Sequence, residues 1–294
     1  MFVGKRVMRL AAMGVLVLLV GLLAACGGEQ AAVEGQAISL SAVESPAVSV
    51  PPAAAAVAPT AEPTLAAVQE LAPEPELVES LAVAHKLVML DPGHQRHGNN
   101  APEAVGPDTR EMKPKVSSGT VGVRTKKPEY VLNLEVSLLI KAELVSRGIE
   151  VAMTRETHEV DISNKQRADM ANEAGAALVV RIHADGDSSP KTSGFSVLYP
   201  SASLAAVKPI AAASKQAAGF IADELTAKTG TSSGRGLSAR SDLSGFNWSK
   251  VPVVLVELGF MTNPEEDERL SAAEYQKKLA VGIADGIEQY LNKK

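Results

Sequence analysis

Two histidines and one glutamate follow short apolar runs that are typical of buried strands. These residues are His94, His183 and Glu257. In an open sheet of mainly parallel strands, ligands bind beyond the carboxyl ends of the strands, so side chains at these positions can meet at one edge. Each residue alone has an ordinary explanation, as a loop histidine or as a glutamate that caps a helix. Their joint placement at three strand ends favours a single chemical site.

Two imidazoles and one carboxylate are the usual protein ligands of a hydrolytic zinc ion, which keeps a further position open for water. Another carboxylate is then needed to move protons. The helix predicted from Tyr130 offers two glutamates, Glu129 and Glu135. Six residues of helix correspond to a rotation of about 600°, so the two glutamates face different directions and only one can be a ligand. The residue pattern by itself leaves this choice open.

The elements that must position these residues alternate between strands and helices. Strands are predicted at Lys86–Leu90, Glu150–Thr154, Ala177–Ile182, Gly194–Tyr199 and Val253–Val256, and helices at Tyr130–Ser146, Asn164–Ala174, Ile210–Lys228 and Tyr275–Leu291. This alternation predicts an α/β fold in which a mainly parallel twisted sheet has helices on both faces, forming three layers. We expect the strand Gly194–Tyr199 at an edge of the sheet.

Short motifs along residues 86–292 carry further information. They are Leu90–His94, a glutamate that opens a helix, Thr154-Arg155, Ile182–Asp185 and Val256–Asn263. These motifs resemble, in the same order, those of the zinc-dependent N-acetylmuramoyl-L-alanine amidases of the type 3 amidase family. The resemblance implies one zinc ion held by His94, Glu129 and His183, with Glu257 as the catalytic glutamate.

The position of the ligand glutamate comes from alignment with that family. Counting back from Gly148, the glycine that ends the helix, assigns the ligand to Glu129 and leaves Glu135 as the alternative. The chain departs from the family at two places: Tyr130 stands where the family has lysine, and the segment Gln95–Pro128 is much longer than in the shorter members.

The resemblance also implies a reaction. The expected substrate is the peptidoglycan amide bond between the lactyl group of N-acetylmuramic acid and the L-alanine of the stem peptide. Zinc lowers the pKa of water towards about 7 and polarises the carbonyl, while Glu257 takes the water proton and delivers it to the departing amine. The alternatives are another zinc hydrolase of the cell wall, such as a carboxypeptidase or a deacetylase, and a non-catalytic wall-binding lipoprotein.

Other candidate residues are weaker. Asn247 and Trp248 precede the last strand and are candidate substrate contacts, although a lone tryptophan more often packs in a core. His97 and His158 are interpreted as a loop residue and a helix-cap residue, and His85 is given no role.

Three further features are not assigned to the chemistry of the site. Arg167 and Asn172 are expected to hold their helix to neighbouring loops. The charged run Pro264–Arg269 is expected to be a solvated helix face. The glycine-rich stretch Gly230–Gly236 is interpreted as a mobile loop over the cleft, because it lacks the features of a phosphate-binding loop.

The first 84 residues predict export and attachment to a membrane. Residues 1–25 combine three early basic residues with the uncharged run Leu10–Ala25, which is typical of a signal peptide. The run ends at Cys26, the only cysteine, in a sequence that resembles a bacterial lipobox. Residues 26–84 are rich in Ala, Pro and Glu, which indicates a disordered tether before a catalytic domain at residues 85–294.

Charge and cysteine content limit the possible partners. Of the 29 basic and 34 acidic residues, three and eight precede Lys86, so residues 86–294 carry 26 of each. This formal neutrality argues against nucleic-acid binding. One cysteine excludes an internal disulfide bond. The N-terminal segment and the family resemblance together imply a monomer that is exported, anchored to a bacterial membrane through acylated Cys26, and faces the peptidoglycan of the cell wall.

Overall fold

A six-stranded mixed sheet forms the centre of the protein. The structure is a computed structural model that describes residues 86–231 and 236–293. Its strands are β1 (Val88–Pro92), β2 (Asn99–Ala104), β3 (Met112–Val116), β4 (Val151–Met153), β5 (Leu178–Asp185), β6 (Ser196–Pro200), β7 (Gly236–Arg240) and β8 (Val253–Phe260). The sheet order is β4-β1-β5-β8-β6-β7, and β2 and β3 form a separate hairpin.

Helices cover both faces of this sheet. They are α1 (Glu129–Ser146), α2 (Asn164–Glu173), α3 (Lys208–Thr229), α4 (Ser244–Asn247), α5 (Pro264–Ser271) and α6 (Ala273–Asn292). One core packs α1, α3 and α6 against strand residues such as Leu90 and Val180, while a second core packs α2 and α4 against their neighbours Met89 and Val179. Alternate strand residues thus point to opposite faces. The predicted three-layer α/β fold is confirmed.

Helix α1 brings its first residue to the carboxyl edge of the sheet. Its buried residues Leu132, Val136, Ile140 and Leu144 recur every fourth position and form one apolar stripe against the sheet. The helix ends before Gly148, whose φ of 73° lies in the left-handed region that glycine adopts without strain. Helix α1 begins at Glu129, one residue before the predicted start at Tyr130.

Four neighbouring strands, β4, β1, β5 and β8, run parallel, whereas β6 runs antiparallel to β8 and parallel to β7. The expectation that Gly194–Tyr199 forms an edge strand is wrong, because β6 lies between β8 and β7. Strand β7 has the sequence Gly-Leu-Ser-Ala-Arg with one large apolar residue, Leu237, which is 43% exposed. Its pattern is too polar to indicate a strand.

The long segment Gln95–Pro128 contains the β2–β3 hairpin, which sequence patterns did not reveal. The hairpin is fixed to the rest of the domain by side chains at one end. Glu103 accepts hydrogen bonds from the hydroxyl of Ser163 and from the backbone N–H of Lys165, the latter at 3.0 Å. The indole N–H of Trp248 donates to the carbonyl of Ala104 at 2.8 Å.

The charged run Pro264–Arg269 is not simply solvated, so that expectation is wrong for two of its residues. Glu266 is buried and accepts hydrogen bonds from the backbone N–H groups of Gly194 at 3.0 Å and Phe260 at 2.8 Å. Asp267 is also buried and accepts from backbone N–H groups in the loop before α1. These carboxylates satisfy backbone donors that would otherwise lack partners.

Several predicted features lie outside the described residues. They are the signal peptide, Cys26, the tether and residues 232–235 within the predicted loop Gly230–Gly236. Among the helices at residues 86–231 and 236–293, none combines the length and apolar character that a bilayer span requires.

Candidate metal centre

His94 lies on a loop that two buried arginines hold in place. The residue leaves β1 with φ of 58°, which is unusual for a side-chain-bearing residue. Arg155 donates to the carbonyls of Pro92 and Gly93, each at 2.9 Å. Arg167 donates to the carbonyls of Pro92 at 2.9 Å and His94 at 3.0 Å. Three consecutive carbonyls thus have guanidinium donors, as expected for Arg167 from its helix pattern.

The charge that balances these arginines is Asp91, the residue before the loop. Its carboxylate accepts hydrogen bonds from Thr154 at 2.6 Å, Arg167 at 2.8 Å and Arg181 at 2.7 Å. Burial alone would raise the pKa of Asp91, but the two guanidinium groups outweigh it and hold that pKa well below its usual range. Asp91 is therefore ionised throughout the neutral and mildly acidic range.

Three side chains from separate elements converge beyond β1 and β5. The Oε1 atom of Glu129 lies 3.1 Å from Nε2 of His94 and 3.2 Å from Nδ1 of His183. The two imidazole nitrogens are themselves 3.2 Å apart. The three candidate ligand atoms, one from each residue, all lie within 4.8 Å of one another.

The environment of each group fixes which atom faces the others. Nδ1 of His94 lies 2.8 Å from the carbonyl of Ser117, so it is the protonated nitrogen and Nε2 carries the lone pair. Oε2 of Glu129 accepts from the backbone N–H of Thr120 at 2.8 Å, and Oε1 accepts from that of Ala184 at 3.1 Å. These contacts orient the groups towards one another.

The pKa values of His183 and Glu129 also favour the binding of a cation between these side chains. Burial lowers the pKa of His183 to about 4, so this imidazole is neutral near pH 7. Burial would raise the pKa of Glu129, but the hydrogen bonds with His183 and His94 outweigh it and hold that pKa well below its ordinary value. The neutral imidazole of His183, the imidazole of His94 and the carboxylate of Glu129 therefore share one space. This donor set fits a divalent metal of borderline softness such as zinc.

Two glycines leave the room that the ligands occupy. A Cβ atom on Gly93 would lie 2.3 Å from Cε1 of His183, and one on Gly119 would lie 2.7 Å from Oε2 of Glu129. Gly119 also has φ of 80°, which disfavours any other residue. The arrangement of the ligands therefore depends on both glycines.

Glu257 stands beside this group in the register of the sheet. It pairs with His183 across β5 and β8. Its Oε2 atom is buried and makes no hydrogen bond with any residue of the described ranges. Burial, together with the nearby charges of Glu129 and Asp185, raises the pKa of Glu257 well above its ordinary value. A buried carboxyl group with a raised pKa beside a candidate metal centre is suited to proton transfer.

Two cavities meet at these side chains, and both are lined by His94, His183 and Glu257. One has a volume of 290 Å³ and extends past Lys113 and Arg181. The other has a volume of 420 Å³ and extends past Glu129, Thr120 and Asp185. A substrate can thus continue on both sides of the site.

The alternative ligand, Glu135, lies elsewhere. Its Oε2 atom accepts hydrogen bonds from Lys127 at 2.5 Å and from Gln276 on α6 at 3.0 Å. The structure brings Glu129, and not Glu135, to the two histidines.

The weaker candidates lie away from the three converging side chains. Asn247 is buried and donates to the carbonyl of Ser241, and Trp248 holds β2; neither lines the two cavities. Their contact with a substrate stays a prediction. His97 is exposed, and the His158 ring packs edge-on against Tyr130.

Asn172 ties α2 to the segment before β8, as its predicted structural role requires. Its side-chain amide donates to the carbonyl of Trp248 at 2.9 Å and accepts from the backbone of Lys250 at 2.7 Å. Sequence reasoning did not single out Lys113, Asn164 and Arg181, which line the smaller cavity. The available signal was that Arg181 precedes His183 by two residues on one strand and so shares its face.

Comparison with known proteins agrees with this geometry. The family described as N-acetylmuramoyl-L-alanine amidase matches residues 88–289. An N-acetylmuramoyl-L-alanine amidase of Mycobacterium tuberculosis is 30% identical over 214 residues, covering 71% of this chain and 88% of that protein. AmiA of Escherichia coli is 28% identical over 247 residues, covering 70% and 76% respectively. The crystal structure of Ami1 from Mycobacterium smegmatis is 32% identical with a TM-score of 0.64, covering 72% of this chain and 99% of that one. The chain therefore belongs to the N-acetylmuramoyl-L-alanine amidase family.

Proposed function

We propose that the protein is a zinc-dependent hydrolase that cleaves the peptidoglycan amide bond between the lactyl group of N-acetylmuramic acid and the L-alanine of the stem peptide. The observation that supports this most strongly is the convergence of Nε2 of His94, Nδ1 of His183 and Oε1 of Glu129. Beside them lies Oε2 of Glu257, which has no hydrogen-bond partner among the described residues. Family membership supports the choice of an amide as the bond.

His94, Glu129 and His183 would hold one zinc ion. When bound, zinc would polarise the amide carbonyl and lower the pKa of water towards about 7. The chain itself supplies the orientation of the ligands, because Ser117 fixes the tautomer of His94 and Thr120 fixes one oxygen of Glu129.

Glu257 would act as the general acid and base. Its carboxylate accepts one proton from the attacking water as the oxygen bonds to the lactyl carbonyl carbon. It then gives that proton to the nitrogen of L-alanine as the carbon–nitrogen bond breaks, so the products are a free amine and a lactyl carboxylic acid, which loses its proton to solvent. A raised pKa suits both halves of this transfer.

The N-terminal region would place this domain at the cell wall. In the proposal, residues 1–25 direct export, acylated Cys26 anchors the chain in a bacterial membrane, and residues 26–84 form the tether. A tether of this length, if extended near 3 Å per residue, spans on the order of 170 Å. The domain at residues 85–294 would act as a monomer on peptidoglycan.

Zinc content tests the ligand set with a matched pair of variants. Glu129→Gln and Glu135→Gln make the same chemical change on the same helix, but only the first alters the converging group. We expect the full-length protein and Glu135→Gln to bind one zinc ion each, and Glu129→Gln to bind zinc at least tenfold more weakly. Equal zinc affinity in the two variants would contradict the assignment.

Digestion of purified sacculi tests the reaction. The full-length protein should release intact stem peptides that begin with a free L-alanine amine, whereas a carboxypeptidase would release C-terminal amino acids and a deacetylase would release acetate. Glu257→Gln should lower the rate by at least about 10²-fold while zinc binding persists. Digestion by Glu257→Gln at the parent rate would exclude its proton-transfer role, and absence of both zinc and digestion in the parent would favour a wall-binding protein.

A further inference from the structure

The cavity of 290 Å³ beside Glu257 has basic side chains in its wall that the proposed reaction does not use. Its lining includes Arg181 on β5 and Lys113 on β3. The acidic groups in the same wall are Glu257, which serves proton transfer, and Asp242. Asp242 is already bound through both carboxylate oxygens by Arg240, each at 2.8 Å. Lys113 lies 3.6 Å from Asp242 and shares that charge, so an anion in this cavity would be bound mainly by Arg181.

Two hydrogen bonds hold the guanidinium group of Arg181 in place and leave its Nη1 group for a further partner. The residue is 4% exposed. Its Nε atom donates to Asp91 at 2.7 Å and its Nη2 atom donates to Asn164 at 2.6 Å. Nη1 makes no hydrogen bond to a residue of the described ranges, and a Cβ atom on Gly245 would lie 2.0 Å from it. Because position 245 is glycine, there is space for the Nη1 group of Arg181.

Among the described residues, Arg181 shares its buried counter-charge with a second arginine. One buried carboxylate, that of Asp91, serves both Arg167 and Arg181. One carboxylate shared by two buried guanidinium groups leaves part of their charge uncompensated, so an anionic group in the adjoining cavity is favoured. Lys113 adds a second cation at the rim, where its Nζ atom donates to the carbonyl of Asp242 at 2.6 Å.

Strand geometry gives the spacing between the backbone positions of Arg181 and His183. Arg181 and His183 lie on one face of β5, two residues apart, which corresponds to about 6.6 Å. An extended peptide advances about 3.3 Å per residue. With the scissile amide at His183, the group that meets Arg181 therefore belongs to the second residue of the stem peptide. That residue carries either a free carboxylate or a carboxamide.

We propose that Arg181 and Lys113 bind the free carboxylate of the second stem-peptide residue, so that the enzyme prefers acidic stem peptides over amidated ones. This inference rests on the proposed function, because the position of the scissile amide sets the register. A charge-assisted bond from a guanidinium to a carboxylate is about twice as strong as one to a neutral amide. The expected preference is at least about tenfold in kcat/KM.

Two synthetic muramyl dipeptides test this. In both, the carboxyl group that would continue the stem peptide is blocked as a methylamide, so they differ only in a free carboxylate or a carboxamide as the other carboxyl group of the second residue. We expect the zinc-loaded full-length protein to prefer the acid at least about tenfold. Arg181→Gln should bring the ratio close to one, and Gly245→Ala should do the same by displacing the guanidinium without changing any charge. Lys113→Gln should reduce the ratio about threefold. Lys277→Gln, an exposed lysine on α6, is the control with an unchanged ratio.

Binding of both dipeptides to Glu257→Gln, measured by calorimetry, separates this inference from the proposed function. A parent enzyme that hydrolyses both dipeptides equally overturns carboxylate recognition and leaves the amidase function standing. Hydrolysis of neither, with tighter binding of the acid, overturns the function and supports recognition. If the preference for the acid survives in both Gly245→Ala and Lys113→Gln, the assigned residues are wrong, and this result does not require Arg181→Gln to fold. If Glu257→Gln binds neither dipeptide and the parent hydrolyses neither, both proposals are overturned.

Discussion

Asp91→Asn removes the only carboxylate that contacts Arg167 and Arg181 within the described residues. Asp91 is 1% exposed and accepts three hydrogen bonds, two of them from guanidinium groups. Asparagine keeps one acceptor oxygen but turns an N–H₂ group towards one of the arginines. Removing one partner of a buried ion pair costs about 3–5 kcal/mol, against a total stability of about 5–15 kcal/mol. We expect the free energy of unfolding to fall by about 3–5 kcal/mol.

Urea denaturation of the full-length protein at neutral pH, followed by circular dichroism, measures this loss. The matched control is Asp242→Asn, because Asp242 is 44% exposed and pairs with Arg240 at the surface. Exposed pairs contribute about 0–1 kcal/mol. Arg167 also holds the carbonyl of His94, so zinc affinity should fall about 10- to 100-fold in Asp91→Asn alone. A loss of stability no larger than that of Asp242→Asn would refute the charge-balance argument.

Three further changes probe pH dependence, ligand packing and the hairpin anchor. Because the folded pKa of Asp91 lies below its unfolded value of about 3.9, its stabilising contribution is complete above that pH and is lost as the pH falls below it. Acid unfolding of the parent should therefore be steeper with pH than that of Asp91→Asn; equal slopes would contradict this. Gly93→Ala should weaken zinc binding at least tenfold with unchanged circular dichroism, since its Cβ would lie 2.3 Å from the His183 ring; unchanged affinity would mean that the ring moves aside. Trp248→Phe should lower the free energy of unfolding in urea by about 1 kcal/mol, because it loses the 2.8 Å bond to Ala104; no loss would contradict the anchoring role.

Elements with strong apolar periodicity were predictable from the sequence. Helix α6 begins two residues before the predicted Tyr275 and ends one residue after Leu291. The strand that leads to His183 was also predicted, as Ala177–Ile182, because a mostly apolar run is typical of a strand buried on both faces. The converging histidines were predictable for the same reason, since parallel strands end at a common edge.

The parts that were missed depend on contacts between residues distant in sequence. Arg181 interrupts an apolar strand and pairs with Asp91, 90 residues away along the chain. No local pattern marks such a pair. The β2–β3 hairpin contains Pro102 and Pro114, which pair with each other and lower its strand propensity. Glu266 is buried because it accepts a hydrogen bond from the backbone of another loop. The charged residues beside it in the sequence indicate a solvated face, so the local pattern does not predict this burial.

The buried arginines replace the hydrogen bonds that the chain loses where it leaves the sheet to present His94. Beyond β1 the carbonyls of Pro92, Gly93 and His94 turn into the protein, and an unpaired buried carbonyl costs about 1–3 kcal/mol. A guanidinium carries five N–H donors in a rigid fork, so Arg155 and Arg167 together satisfy all three carbonyls. Apolar side chains could fill this space but could not bond to the loop. The position of His94 therefore depends on charges that need Asp91, which links the stability of the domain to the geometry of its site.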